Sequence, residues 1–227
     1  MEAVIIFILE KRYKMKNLIC ISGPDGTGKS TQVGLLIDSL KSKGINVEYR
    51  WLRFHHLFSL PILGLARFLG YSEVVTLKNG DRMGYHYFYK SKLISLIYTY
   101  SMLFDSLIFS FIKLYIPIYI FRKKLVCDRY IHDTLVDLMI STGNHEFYDS
   151  YTGKIFLKLI PSDSQIIILI TDEKILKKRR EDINHDKNIG LKINLYEKLI
   201  ENLQISTINA ELPIDHVSVD IMRILNE

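Results

Sequence analysis

The run Gly23-Pro24-Asp25-Gly26-Thr27-Gly28-Lys29-Ser30-Thr31 fills the phosphate-loop pattern GxxxxGK[ST] without a mismatch. Glycines in such a loop let the backbone turn its N–H groups inward around a phosphate, and the following helix adds its partly positive N-terminus. The pattern makes Gly23, Gly26, Thr27, Gly28, Lys29, Ser30 and Thr31 the cradle of a nucleoside triphosphate. Lys29 would reach the β- and γ-phosphates, and the Ser30 hydroxyl would ligate Mg²⁺. A glycine-rich turn that binds nothing is the competing reading, and the flanking elements argue against it.

A second constellation closes the apolar run Lys124-Leu125-Val126-Cys127 with Asp128-Arg129-Tyr130. Taken alone, the acid and the base there read as a strand-end ion pair. Further cations lie at Arg50 and Arg53 and in Lys177-Lys178-Arg179-Arg180. The latter cluster serves a phosphate-handling enzyme, a nucleic-acid patch or a solvated helix face equally well. The pair His55-His56 suggests a metal only weakly, since neighbours on a strand point to opposite faces. Trp51 and the Tyr85, Tyr87, Phe88, Tyr89 cluster offer rings for base stacking, or for a core.

These residues need elements to hold them. Asn17 to Ile21 reads as a buried strand entering the loop, and Val33, Leu35, Leu36 and Leu40 recur at helical spacing after it. Ile45 to Trp51 reads as a second strand, placing Arg50 and Arg53 at or past its carboxyl end, where open parallel sheets bind ligands. Leu57 to Leu69 and Tyr85 to Phe121 read mostly as helices around a polar stretch at 77–83. Strands are expected at 124–127, 165–170 and 216–219, with a charged helix or lid at about 173–190 and a helix through Asn202. The alternation predicts an α/β fold: a three-layer α/β/α phosphate-loop NTPase with a parallel sheet and a small helical lid.

With 227 residues, nearly half apolar, and no Pro- or Ser-rich linker, the chain fits one α/β domain over 15–227 preceded by an extension at 1–14. Met15 is a candidate natural start. The apolar stretch at 3–9 is too short to span a bilayer and lacks a basic leader and a cleavage site. Leu93 to Phe121 is interrupted by Asp105 and Lys113 and bent near Pro117, so it reads as a core helix, with the face of a homodimer as the next reading. No membrane partner is expected. Cys20 and Cys127 sit in apolar strand-like runs, which suits free thiols in a reducing cytoplasm. The formal charge of +5 is modest and spread, and no nucleic-acid partner is expected.

The loop alone does not choose among switches, motors and kinases. There is no Asn-Lys-x-Asp guanine reader, and the apolar run Ile166 to Ile170 reaches Asp172-Glu173 only after Thr171, out of step with a motor's acidic pair. The Asp25-bearing loop, the Asp128-Arg129-Tyr130 triplet and the basic lid region together resemble the thymidylate kinase family of nucleoside monophosphate kinases, over roughly Lys16 to the 190s. The resemblance implies ATP and Mg²⁺ as cofactors and a small-molecule nucleotide acceptor, first of all dTMP converted to dTDP. It implies that Asp25 contacts the acceptor sugar, that Asp128 supports Mg²⁺ and that Arg129 grips the acceptor phosphate. It implies too that Arg179 or Arg180 supplies from the lid the cation that some members carry in the loop, where this chain has Gly26.

The acceptor side departs from the family. The usual Glu-Pro-Gly after the second strand is replaced by Tyr49 to His56, and the stretches Leu103 to Leu107 and Asp133 to Leu138 lack the expected base readers. Arg50 and Arg53 are the candidate substitutes. A same-fold kinase acting on a nucleoside or another small molecule, and a nucleotide-binding switch without acceptor chemistry, therefore stay open.

Overall fold

The computed structural model describes residues 15–53, 55–76 and 82–226, so the expected extension at 1–14 lies outside the described residues. In chain order the elements are β1 (Leu18–Ser22), α1 (Lys29–Ser42), β2 (Val47–Trp51), α2 (Ser59–Phe68), β3 (Ser72–Thr76), β4 (Arg82–His86), α3 (Lys92–Ser110), β5 (Lys124–Asp128), α4 (Ile131–Thr142), α5 (Tyr151–Leu157), β6 (Ser164–Ile170), α6 (Glu173–Arg179), α7 (Ile189–Leu203), β7 (Ser206–Asn209) and α8 (Ile214–Asn226). Five strands pair in parallel in the order β2-β5-β1-β6-β7.

β1 shows why the layers are three. It is buried along its whole length, and its side chains alternate between two cores. Ile19 and Ile21 join Val33, Leu36, Val217 and Ile221 from α1 and α8 on one face. Leu18 and Cys20 join residues of α3, α4 and α7 on the other. Cys20 and Cys127 are register partners on adjacent strands, and both are free, buried thiols. This is the α/β/α architecture expected from the alternating pattern. It brings the carboxyl ends of β1, β2 and β5 together on one rim.

Three expectations are corrected. Residues 216–219 lie in helix α8, where Val217 and Ile221 are buried one turn apart, and the last strand is β7. The four-residue run at 206–209 has a single buried residue, Ile208, and so leaves little periodic signal. Tyr85 belongs not to a helix but to the antiparallel pair β3–β4, with Glu73 opposite Tyr85. The third correction concerns the apolar stretch. α3 continues as a π-helical segment, Phe111–Ile120, around Pro117, giving an unbroken helix Lys92–Ile120 of 29 residues. By length and composition it could cross a membrane, and only 33% of its most apolar window is buried. It is a core helix on its inner stripe alone; Leu93, Leu96, Tyr100, Phe104, Leu107 and Phe111 form an outer stripe at helical spacing.

Asp105 is not a solvent-facing interruption of that helix. Fully buried, it accepts from the N–H groups of Leu57 (3.0 Å), Phe58 (2.8 Å) and Ser59 (2.9 Å) and from the Ser59 hydroxyl (2.6 Å), satisfying the N-terminus of α2. Asp105→Ala strands those donors and should destabilise the protein by about 3 kcal/mol in urea unfolding, with Asp105→Asn losing less. A loss below about 1 kcal/mol for the alanine variant would contradict this account.

Candidate active site

β1 delivers the chain straight into the glycine loop. Gly23 takes φ 138°, and a Cβ there would sit 2.2 Å from the Leu169 carbonyl oxygen of β6, so only glycine lets the loop lie against that strand. Inside the loop, the Thr27 hydroxyl (3.0 Å) and the Lys29 ammonium (2.5 Å) both donate to the Pro24 carbonyl. Gly28 ends the loop as the N-cap of α1. Lys29 is almost fully buried. Burial pushes its amine down to about 7, helped by Arg129 and Arg53 and opposed by Asp25 and Asp133.

At the head of α1 the Ser30 hydroxyl donates to Asp128 Oδ2 at 2.5 Å. Asp128 is buried at the end of β5, and its Oδ1 has no hydrogen-bond partner among the described residues. One hydroxyl and one carboxylate with a spare, desolvated oxygen beside a phosphate cradle fit Mg²⁺, which is held by few protein oxygens and completed by phosphates and water. No cluster of three or more His, Cys, Asp or Glu side chains capable of holding a metal occurs among the described residues. His55 stacks on Phe109 and His56 bonds to the Ser59 hydroxyl, which separates the pair. The Asp172-Glu173 pair is spent on α6, Asp172 as its N-cap and Glu173 on Lys177.

Asp25 is the hub of the site. It accepts from Arg129, lies 3.5 Å from Arg53 and 3.9 Å from Lys192. Burial would raise its carboxyl, but Arg129, Arg53, Lys29 and Lys192 together hold it far below the carboxylate range. Arg129 adopts φ 69°, a left-handed conformation costly for a side-chain-bearing residue, and its N–H bonds to the Ile21 carbonyl at 3.0 Å. The turn aims its guanidinium back over the loop. Asp133, buried one turn into α4, fixes it at 3.0 Å and also accepts from Ser22 (2.7 Å), the Tyr130 N–H (3.2 Å) and Tyr196 (2.9 Å). Asp137, one further turn along, holds Arg53 through three contacts of 3.2–3.3 Å. Asp133 and Asp137 lie one turn apart on α4, a spacing visible in the sequence, with Arg129 just before the helix; Lys192 has no local signal there.

Arg50 stays on β2, paired with Glu48 at 2.6 Å, and does not line the cavity that Arg53 lines. Trp51 packs edge-on to His55, Phe88 is core, and Tyr85 alone of the aromatic cluster lines the cavity.

The segment expected to act as a lid comprises α6 and the 3₁₀ turn Glu181–His185. Its Ile183 and Leu176 lie on Gly26: an added Cβ there would meet Ile183 Cδ1 at 2.5 Å and Arg180 Cδ at 3.7 Å. A side chain at Gly26 would press on Ile183 and strain a backbone at φ 87°, and the aliphatic part of Arg180 lies beside the same position. Arg180 lines the cavity while Arg179 does not. Arg180→Ala should therefore cut phosphoryl transfer about a hundredfold with little change in ATP affinity, and Arg179→Ala should stay within about threefold. Separate steady-state kinetics on the two variants check it, and the reverse order would reassign the lid cation.

The cavity holds about 430 Å³. Asp25, Arg53 and His56 close one end, α4 from Thr134 to Ser141 forms one wall, β4 from Arg82 to His86 the roof, and Arg180, Asp186 and Lys192 the lid side. A nucleotide-sized anion fits such a space.

No family model and no curated protein matches the chain. Among solved structures, the crystal structure of thymidylate kinase from Ehrlichia chaffeensis is similar, with a TM-score of 0.52 and 17% identity over 92% of this chain and 97% of that one. The chain thus has a thymidylate-kinase-like fold.

Proposed function

We propose that this protein is an ATP- and Mg²⁺-dependent phosphotransferase of thymidylate kinase type, acting on a nucleoside monophosphate. The observation that carries the reading is the presence of Arg53, Arg180 and Lys192 in one cavity that opens at Asp25 of the phosphate loop, with Arg129 paired to the same Asp25. A switch would need only the cradle; a second anion-binding cavity beside it is the mark of an acceptor. Arg129 and Arg53 hold the acceptor phosphate, Asp25 orients the rest of the acceptor, and Lys29 with Arg180 meets charge developing on the transferred group. Ser30 and Asp128 hold Mg²⁺, which neutralises the β- and γ-oxygens when bound. The lid over Gly26 excludes water from the transfer path. ATP use and acceptance of dTMP are carried by the likeness to thymidylate kinases and the cavity's size.

One observation favours a different acceptor within the same chemistry. The cavity is roofed by β4 and bounded by Tyr98, Met102 and Ser141, without the base readers the family resemblance leads one to expect. ADP release from Mg·ATP, measured with no acceptor, then with dTMP, the other monophosphates and free nucleosides, tests both. Stimulation by dTMP supports the first reading, stimulation only by another acceptor supports the second, and none at all favours an acceptor outside this set or a switch.

The outer stripe of α3, with Leu60 and Phe68 of α2 beside it, is larger than the scattered apolar residues of an ordinary surface. We assign it to a second copy of the chain. Light scattering should give twice the chain mass, and a monomer would remove the assignment.

A further inference from the structure

The pair β3–β4, which a helical reading of its sequence conceals, does more than roof the cavity. Tyr85, on β4, is nearly fully buried. Its hydroxyl donates to the His185 carbonyl at 3.0 Å and accepts the Lys187 N–H at 3.3 Å. Both partners are backbone groups of the lid's carboxyl end. A second contact runs parallel to the first: Lys187 Nζ lies 5.1 Å over the Tyr85 ring and 3.4 Å from Glu73, which also takes the Tyr87 hydroxyl at 2.6 Å. Glu73 and Tyr85 are register partners, so a single rung of the hairpin makes both contacts.

The clasped segment is the one that sets the lid. Between the two backbone partners, Asp186 turns its carboxylate to Lys192 at 2.7 Å, whose ammonium points on toward Asp25. Two residues before His185, Ile183 sits on Gly26, and Arg180 crosses the same glycine. The lid is therefore pinned at both ends, by the phosphate loop and by the hairpin, with the cavity between them. Besides a long contact to the Met83 sulfur on its own strand (3.8 Å), the Tyr85 hydroxyl spends its hydrogen bonds on the lid backbone.

We infer that Tyr85 is a positioning residue, whose hydroxyl links the roof of the acceptor cavity to the lid backbone, so that an acceptor seated under β4 sets the placement of Arg180 and Lys192 over the phosphate loop. The inference rests on the reading of this cavity as an acceptor site. It makes the hairpin the device that ties ATP use to acceptor occupancy: with the clasp made, the lid closes in register for transfer, and with it broken, the lid closes without reference to the acceptor and water takes the phosphoryl group. In that water reaction the γ-phosphorus–oxygen bond to ADP breaks, a bond to water oxygen forms, and the products are ADP, phosphate and a proton.

Tyr85→Phe in the full chain separates the hydroxyl from the ring. Backbone hydrogen exchange at 183–188 without ligand should be about fivefold faster or more. With the acceptor identified by the ADP-release assay, the acceptor KM should rise about tenfold, the ATP KM should stay within about twofold, and the ratio of acceptor phosphorylation to acceptor-independent hydrolysis should fall about tenfold. Lys187→Met, which leaves the hydroxyl in place, should move the same ratio in the same direction by a smaller factor. Unchanged exchange in Tyr85→Phe overturns the clasp whatever the reaction is. Faster exchange with an unchanged ratio overturns the coupling. Failure of every monophosphate and nucleoside to stimulate the unaltered protein overturns the nucleotide-acceptor reading, and this role with it, irrespective of the exchange result.

Discussion

Lys29→Met is expected to lower nucleotide turnover by about a thousandfold while leaving the fold intact, because methionine fills the same buried volume without the charge. The position explains the size of the effect. Lys29 is nearly fully buried, and its ammonium is turned onto the Pro24 carbonyl inside the loop, the place where a phosphate oxygen would draw it. A proton inventory gives an independent handle. With its pKa pushed down to about 7 by burial and by Arg129, the Lys29 amine is mostly neutral at pH 8 in the unliganded protein. A triphosphate brings negative charge to it and raises that pKa, so the charged form is favoured on binding. ATP binding at pH 8 should then take up as much as about one proton, and the uptake should fade toward pH 6, where the amine is already protonated. Binding enthalpies in two buffers of different ionisation heat measure it. Uptake that survives in Lys29→Met would place the titrating group elsewhere.

How far the sequence reveals this site depends on how local each part is. The glycine loop is contiguous, and the strand before it and the helix after it carry their own periodicity, so the cradle is legible from a short stretch, whereas the Ser30–Asp128 contact joins residues 98 apart. β5 ending in Asp128-Arg129 is legible for the same reason, although the left-handed turn that aims Arg129 is not, since no residue type there announces it. Arg50 and Arg53 look alike in sequence. Their fates differ because Arg50 is held within the strand by its register with Cys127, while Arg53 lies past the strand end, where Asp137 and Asp25 can reach it. Lys192 reaches Asp25 from α7, far along the chain, a relation that only the parallel crossovers create. The hairpin is masked by its neighbours: the apolar run of α3 and the aromatic cluster before it draw a helical reading across Tyr85, although Val74-Val75 and the Asn79-Gly80 dipeptide are strand and turn signals. Asp105 shows the same limit from the other side. Read alone it is a charge that breaks an apolar run; read with the chain 46–48 residues earlier it is the cap of α2.

Arg129 poses the sharper question, because it belongs at once to the proposed acceptor site and to a buried ion-pair network. Arg129→Ala should remove acceptor-dependent turnover by about a thousandfold, but it also leaves Asp133, whose side chain is 1% exposed, without its cation. Stranding a buried carboxylate costs about 3–5 kcal/mol, enough to confuse lost chemistry with lost fold. Arg129→Lys separates the two. It keeps the charge beside Asp133 and Asp25 and tolerates the left-handed backbone as poorly as arginine does, so thermal stability should fall only slightly. A lysine is a point charge, however, and cannot bond Asp25 and Asp133 through one planar fork while presenting a further edge to a phosphate. Acceptor-dependent turnover of Arg129→Lys should therefore fall about a hundredfold, with ATP affinity within about threefold of the unaltered protein. Tyr196→Phe supplies the comparison, since it removes one hydrogen bond from Asp133 and touches no phosphate. If Arg129→Lys turned over acceptor at the original rate, Arg129 would serve the network alone, and the acceptor phosphate would then have to be held by Arg53 and Lys192.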